Sequence, residues 1–149
     1  MNQQEAMFYS AATSRGGRSE NQDNFAVGGV VPFWTPQDPE SVFGKLPADR
    51  TNYFLVADGV GGGAAGADAS RLAAQAVQRC WETMEDIEGP PLDALAFVLA
   101  DAAYAAVEDL NGSLTGSSAS TLVLALLRGK DFFVLNIGDS PAPVSYTHL

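Results

Sequence analysis

The sequence predicts an α+β fold with a mainly antiparallel sheet. Two helical patterns follow one another directly in the middle of the chain, whereas parallel βαβ units would alternate single helices with single strands. Short apolar β-like runs lie on both sides of the helices, and the last two runs are spaced as a hairpin. The 149 residues, 46% of them apolar and 17% charged, are typical of a single globular domain.

The N-terminal half contains three predicted strands and one predicted loop. Residues 7–13 and 24–31 are short β-like runs. Four prolines and mixed charge over residues 32–52 predict an exposed loop. Residues 53–57 (YFLVA) are continuously apolar and stop at Asp58, which is typical of a buried strand whose carboxyl end opens into a site.

The C-terminal half begins with the two helices. Apolar residues at helical spacing predict a first helix over residues 65–85. Pro90 and Pro91 begin a second helix, which Asn111 and the glycine after it are expected to end. The runs 121–127 and 132–138 then predict a hairpin whose two strands are too apolar to face water on either side.

Charge and residue usage exclude several function classes. Eight basic and eighteen acidic residues give a net charge of −10, which would repel nucleic acid and an anionic membrane surface. The single cysteine, Cys80, excludes a disulfide framework and a thiolate zinc site, and the single histidine, His148, lies near the end of the chain. The N-terminal residues lack the pattern of a signal peptide, and we therefore expect a cytoplasmic protein of bacterial type.

Three aspartates, Asp23, Asp58 and Asp139, lie beside glycine or small polar residues at predicted strand ends or turns. A carboxylate directly after an apolar strand is costly to bury unless a charge such as a divalent cation compensates it, and the carbonyl of Gly59 would add an oxygen ligand. Carboxylates without histidine or thiolate indicate magnesium or manganese. Taken singly, each of these aspartates is more often a turn or cap residue than a metal ligand.

A positive charge for an anionic substrate could come from Arg18, five residues before Asp23 in a glycine- and serine-rich turn. A guanidinium can bind two oxygens of one phosphate group at once. A surface arginine without a role is the other interpretation of this residue.

Gly61, Gly63 and Gly66 spell G-x-G-x-x-G after a strand and before a helix, which is also the pattern of dinucleotide-binding folds. Asp58 would place a carboxylate near the pyrophosphate in such a fold. The acidic residue required about twenty positions later, at the end of a second strand, falls inside the first predicted helix. Both observations disfavour a dinucleotide site.

Four motifs together, SRGGRSENQDNF, FLVADGVGGGAAG, GSSAST and VLNIGDS, resemble in order and spacing the metal-dependent protein phosphatase family, the type 2C serine/threonine phosphatases. The resemblance covers residues 7–142 and implies an antiparallel β-sandwich flanked by helix pairs, a four-layer αββα arrangement. The chain would be the N-terminal part of that catalytic domain, assigned to residues 1–142. Residues 143–149, which follow two closely spaced prolines and show no strand or helix pattern, are expected to be a non-native tail.

The resemblance also implies an activity, the removal of phosphate from phosphoserine and phosphothreonine in proteins by a metal-activated water, opposing a serine/threonine kinase. It assigns Arg18 to the substrate phosphate and Asp58 to a position bridging two Mg²⁺ or Mn²⁺ ions, with the carbonyl of Gly59 as a further ligand. Asp23 matches the aspartate that orients the attacking water at the metals. Asp139 matches the aspartate of a third, weaker metal position.

The sequence departs from the family pattern at three points. Gln22 replaces a glutamate of many members, and Val60 replaces a histidine of some members. The family's later metal-binding aspartates would follow Asp139, and the 149 residues do not supply them. We therefore expect the 149-residue chain to be inactive by itself. A catalytically silent phosphatase-like module that binds or regulates phosphoproteins is the alternative to an enzyme.

Overall fold

The computed structural model describes residues 6–27, 40–61, 64–113 and 117–145. The elements follow in the order β1 (Ala6–Thr13), β2 (Asp23–Val27), β3 (Glu40–Pro47), β4 (Thr51–Val60), α1 (Ala64–Thr83), α2 (Leu92–Ser113), β5 (Ala119–Ser120), β6 (Leu122–Arg128) and β7 (Asp131–Ile137). Residues 146–149 of the expected tail, which include His148, lie outside the described residues.

All described strand pairs are antiparallel, which confirms the predicted α+β class. β2, β4, β6 and β7 lie side by side in that order, and β5 pairs with the end of β4. β1 and β3 form a separate two-stranded sheet. The ring of Tyr9 in β1 contacts Phe54 of β4 edge-on, with centroids 6.3 Å apart, so this second sheet lies against the larger one.

The two helices cover the face of the larger sheet that carries Tyr53 and Leu55. Both residues are almost completely buried, as are Leu124 of β6 and Val77 of α1. The hydroxyl of Tyr53 bonds to the side chain of Gln78, and many of the helix residues in this core are alanines, which allow the helices to approach the sheet closely. Helices, five-stranded sheet and two-stranded sheet form three successive layers.

The prediction of a loop over residues 32–52 is wrong for its second half, because β3 occupies Glu40–Pro47 and β4 begins at Thr51. β3 pairs with β1 along its whole length, from Thr13↔Glu40 to Ala6↔Pro47. The partner strand, rather than local pattern, makes this segment extended. Its central glycine, Gly44, leaves space for Tyr9, whose hydroxyl would lie 2.8 Å from a Cβ at this position.

The hairpin of β6 and β7 is confirmed, but the expected burial of both strands is wrong. β6 is largely buried, whereas Phe132 and Ile137 of β7 are 60% and 48% exposed. In the described part of the chain β7 is the last strand at its edge of the sheet. A strand with a neighbour on one side only is covered less completely than a central one.

Both helices were predicted, and their bounds differ by a few residues. α2 continues through Asn111 to Ser113, because neither Asn111 nor Gly112 adopts the positive φ with which such residues end a helix. The side-chain amide of Asn111 bonds to the main chain and the hydroxyl of Ser118, at 2.8 to 3.0 Å. No helix in the described ranges has both the length and the apolar character needed to cross a membrane.

Arg128 at the end of β6 joins the sheet to the segment between the helices. Its guanidinium donates to the Thr51 hydroxyl at 2.7 Å and to the carbonyls of Ile87 and Pro90 at 2.6 and 3.0 Å. The carboxylate of Glu88 lies 3.6 Å from Nε. These contacts hold the α1–α2 connection against the ends of β4 and β6.

We expect Arg128→Lys to destabilise the chain by about 1.5–3 kcal/mol, because the guanidinium donates from three separate nitrogens, whereas the single nitrogen of an ammonium group cannot reach all three acceptors. The free energy of unfolding from urea titrations measures this loss. Arg79→Lys, at an exposed position of α1, is the matched control and should stay within about 0.5 kcal/mol of the parent. Equal effects of the two substitutions would contradict the anchoring role.

Candidate functional site

Asp23 and Asp58, whose strands are separated by β3 in the sequence, lie directly opposite each other on β2 and β4. The main-chain N–H and C=O of Asp58 both bond to Thr121, on the side of β4 away from β2. The Asp23–Asp58 pair is therefore a pair without main-chain hydrogen bonds of its own, the type in which opposite side chains approach most closely. The sheet register brings together two of the predicted carboxylates.

Asp58 lies inside a strand, which corrects the prediction that the strand ends before it. β4 continues to Val60, because the N–H of Gly59 donates to the carbonyl of Gln22 at 3.0 Å while Thr121 bonds to Asp58 from the other side. Asp58 is half-buried. Its position is consequently set by both neighbouring strands instead of by a turn.

The glycines after Asp58 are explained by close contact between β4 and the start of α1. A Cβ at Gly59 would lie 2.0 Å from the carbonyl oxygen of Gly66, and a Cβ at Gly61 would lie 2.9 Å from the Gly66 nitrogen. Gly63 lies outside the described residues. The main chain of β4 packs directly on the main chain of α1 here, and this contact alone explains the glycines. A bound nucleotide is not needed to account for them.

The two carboxyl groups repel each other. Partial loss of solvent raises the pKa of Asp23 above its usual value, the charge of Asp58 and a hydrogen bond between the two side chains raise it further, and Arg18 lowers it. Like charges directly opposite each other in a sheet are destabilising. A divalent cation between the carboxylates would remove this repulsion.

The loop between β1 and β2 closes around the aspartates and forms a cleft of about 160 Å³. The cleft is lined by Ser14, Arg15, Arg18, Glu20, Asn21, Gln22, Asp23 and Asp58. Gly16 turns the loop with a φ of +58°, and the N–H of Arg18 donates to the Arg15 carbonyl at 3.1 Å. The Arg18 side chain is exposed at this cleft and is the source of the charge that acts on Asp23.

Buried hydrogen bonds fix the main chain on both sides of Asp23. Asn21 donates to the Thr13 hydroxyl at 2.8 Å and accepts from the N–H of Asp23 at 3.1 Å. The buried hydroxyl of Ser70 in α1 donates to the Gln22 carbonyl at 2.6 Å and accepts from Asn24 at 2.7 Å. The first helix thus supports the strand that carries Asp23.

Of the predicted site residues, Arg18, Asp23 and Asp58 line one cleft, and Gly59 follows Asp58 in β4. Asp139 is exposed after β7 and is not among the lining residues. No group of three or more His, Cys, Asp or Glu side chains that could hold a metal is found within the described ranges.

Sequence reasoning missed three contributors. Glu20 lines the cleft and belongs to the same RSENQD string that drew attention to its neighbours. Thr121 and Ser140 bond to each other beside Asp58, and the run of small hydroxyl residues before β6 was the available signal for Thr121.

A comparison with protein-family models matches residues 42–146, well over half of the chain, to protein phosphatase 2C. The chain belongs to the protein phosphatase 2C family. The matched range contains Asp58, Gly59 and Asp139, while Arg18 and Asp23 precede it.

Solved structures resemble the fold of this protein phosphatase 2C chain. The serine/threonine phosphatase PstP/Ppp of Mycobacterium tuberculosis is 24% identical with a TM-score of 0.58, over 90% of this chain and 47% of that one. The PPM Ser-Thr phosphatase MsPP of Mycobacterium smegmatis, solved with cacodylate, is 24% identical with a TM-score of 0.55, over 92% of this chain and 47% of that one. The chain thus spans about half the length of these structures.

The comparison with curated proteins gave no match.

Proposed function

We propose that the chain is part of a metal-dependent phosphatase that hydrolyses phosphoserine and phosphothreonine in proteins. The observation that carries this proposal is the pair Asp23 and Asp58, opposed across two strands in one cleft with Arg18. The described residues that line the cleft include these two carboxylates and no histidine or thiolate, which suits a hard cation, and the guanidinium suits a phosphate group. Membership of the protein phosphatase 2C family supports the same chemistry.

The donors in the cleft fit Mg²⁺ or Mn²⁺, because they are oxygen atoms whose negative charges require compensation. In this proposal the carboxylates of Asp23 and Asp58 and the carbonyl of Gly59 hold two ions, and Asp139 serves a third, weaker position. Bound divalent cations would supply an activated water and would neutralise charge on the phosphoryl group.

The residues of the chain then have separate roles. The Arg18 guanidinium binds two phosphoryl oxygens and holds the phosphorus in line with the attacking water. A carboxylate oxygen of Asp23 accepts a hydrogen bond from that water and orients it. Arg18 is exposed, so a phosphorylated side chain on a protein surface could reach it. In this proposal the reaction takes place in the cytoplasm and reverses phosphorylation by a serine/threonine kinase.

A second function is supported by Gln22 and Val60, which replace acidic and histidine residues of other family members. Val60 is 59% exposed at the end of β4 and offers no proton to a leaving group. A protein with these residues could bind phosphoproteins without hydrolysing them.

The test is hydrolysis of p-nitrophenyl phosphate and of a phosphothreonine peptide by the full-length gene product. We expect turnover with Mn²⁺ and none with EDTA, and we expect Arg18→Ala to lower kcat/KM about 10- to 100-fold by removing charged hydrogen bonds to phosphate. Arg79→Ala is the control for loss of a distant positive charge. Binding of the phosphopeptide without any turnover would favour the silent module instead.

A further inference from the structure

The pairing between β4 and its neighbours is interrupted opposite Asp58. β4 pairs with β5 at Gly59↔Ser120 and with β6 at Val56↔Val123, and both pairs belong to one continuous register. That register places Thr121 opposite Asp58, yet Thr121 lies in neither strand.

The cause is an exchange of hydrogen-bond acceptors. The N–H of Thr121 donates to the Asp58 carbonyl at 2.8 Å, as in a regular antiparallel ladder. The N–H of Asp58 donates at 3.0 Å to the hydroxyl of Thr121 rather than to its main-chain carbonyl. That carbonyl accepts a hydrogen bond from the Ser120 hydroxyl at 2.8 Å. One side-chain oxygen therefore replaces a main-chain acceptor at the candidate metal ligand.

The same hydroxyl also reaches the turn that carries Asp139. Oγ of Ser140 lies 2.7 Å from Oγ1 of Thr121. Gly138, with a φ of +105°, packs so closely on Thr121 that a Cβ there would lie 2.8 Å from the Thr121 methyl group. Thr121 is therefore in contact with the main chain of Asp58 and with both neighbours of Asp139.

We propose that Thr121 is a positioning residue, which holds Asp58 and the Asp139 turn in one fixed geometry for binding the divalent cation. The inference rests on the proposed function, in which Asp58 is a metal ligand. Asp58 lies opposite Asp23 of β2 on one side, and the two bonds to Thr121 hold its main chain on the other side. Outer partners that orient metal ligands commonly control metal affinity in this way.

The test compares Thr121→Val, which keeps the shape but removes the hydroxyl, with Thr121→Ser, which keeps the hydroxyl. We expect Thr121→Val to weaken Mn²⁺ binding by the full-length gene product about 10- to 100-fold in calorimetry, and Thr121→Ser to bind nearly as the parent does. Thr83→Val is the matched control, because the Thr83 hydroxyl bonds only to carbonyls of its own helix among its described contacts. Hydrogen exchange of the Asp58 amide is the second readout and should accelerate in Thr121→Val alone.

Unchanged Mn²⁺ affinity in a folded Thr121→Val variant would overturn the positioning role while leaving the proposed function in place. Failure of the full-length parent protein to bind Mn²⁺ would count against the proposed function, and exchange of the Asp58 amide would then decide the inference, since unaltered protection in Thr121→Val overturns it. If Thr121→Val does not fold, Thr121→Ser and Ser140→Ala decide it. The expected result is parent-like Mn²⁺ affinity for the serine variant and a changed Asp58 amide resonance for Ser140→Ala, and the opposite results contradict it.

Discussion

In the full-length protein, replacing Asp58 with asparagine is expected to weaken Mn²⁺ binding in the cleft and to abolish phosphatase activity. The amide keeps the shape of the side chain and the main-chain bonds to Thr121, but it has no charge and a single oxygen, so it could not hold the two cations proposed for this site. We expect affinity to fall by more than about 100-fold, beyond the usual cost of losing an outer partner of a metal ligand. Calorimetric titration with Mn²⁺ measures the change.

The same substitution should stabilise the metal-free chain at neutral pH. The pKa of Asp23 is raised in the folded state, so the contribution of Asp23 to stability is greatest at acidic pH and is lost as the pH rises through that raised pKa. Removing the charge opposite Asp23 should therefore increase the free energy of unfolding at pH 7 by about 0.2–1 kcal/mol. The gain should become smaller as the pH falls below the raised pKa of Asp23, because a protonated Asp23 carries no charge to be repelled.

Asp101→Asn is the control for this pair of measurements, because it makes the same change of charge at an exposed position of α2. It should alter neither Mn²⁺ affinity nor stability by a measurable amount. Parent-like Mn²⁺ binding in Asp58→Asn would show that the cation is held elsewhere and would remove the main support of the proposed function.

Gly59→Ala is expected to cost about 3 kcal/mol of stability, the upper part of the range for overpacking. The added methyl carbon would lie 2.0 Å from the Gly66 carbonyl oxygen and 2.8 Å from that of Gln22. Both atoms belong to the main chain, so no side chain can rotate away, and the start of α1 would have to move off β4. Urea unfolding monitored by circular dichroism measures the loss.

Gly112→Ala in α2 is the control for the substitution itself, because a Cβ there would meet nothing within 4 Å. There the substitution removes backbone freedom from the unfolded chain and should be neutral or stabilising by up to about 1 kcal/mol. Equal tolerance of alanine at both positions would mean that β4 and α1 are farther apart than this packing indicates.

The elements with strong local patterns could be predicted from the sequence. The apolar spacing of α1 and α2 and the apolar runs of β4 and β6 carry their own signal. β3 has no such signal, because Gly44 and Lys45 interrupt its alternation and its extended form depends on β1, more than twenty residues earlier. The exposure of β7 could not be predicted either, since it depends on the position of this strand in the sheet.

The candidate site, like the fold, was predictable from the sequence only in part. The residue types of Asp23 and Asp58 were sufficient to predict an oxygen-based cation site, but their direct opposition follows from the β2–β4 register. The exchange of acceptors at Thr121 depends on which of two oxygens faces one N–H, and no composition or spacing rule specifies that. Asp139 stays a predicted ligand that the described geometry connects to Asp58 only through Ser140 and Thr121.

The loop that carries Arg18 runs from β1 in the two-stranded sheet to β2 in the five-stranded sheet. Asp23 and Asp58, in contrast, belong to the same sheet and are held opposite each other by its register. A small sliding motion of one sheet over the other would therefore displace the guanidinium while leaving the spacing between the carboxylates unchanged. Substrate capture and cation affinity could then be adjusted independently, through substitutions in different layers of the protein.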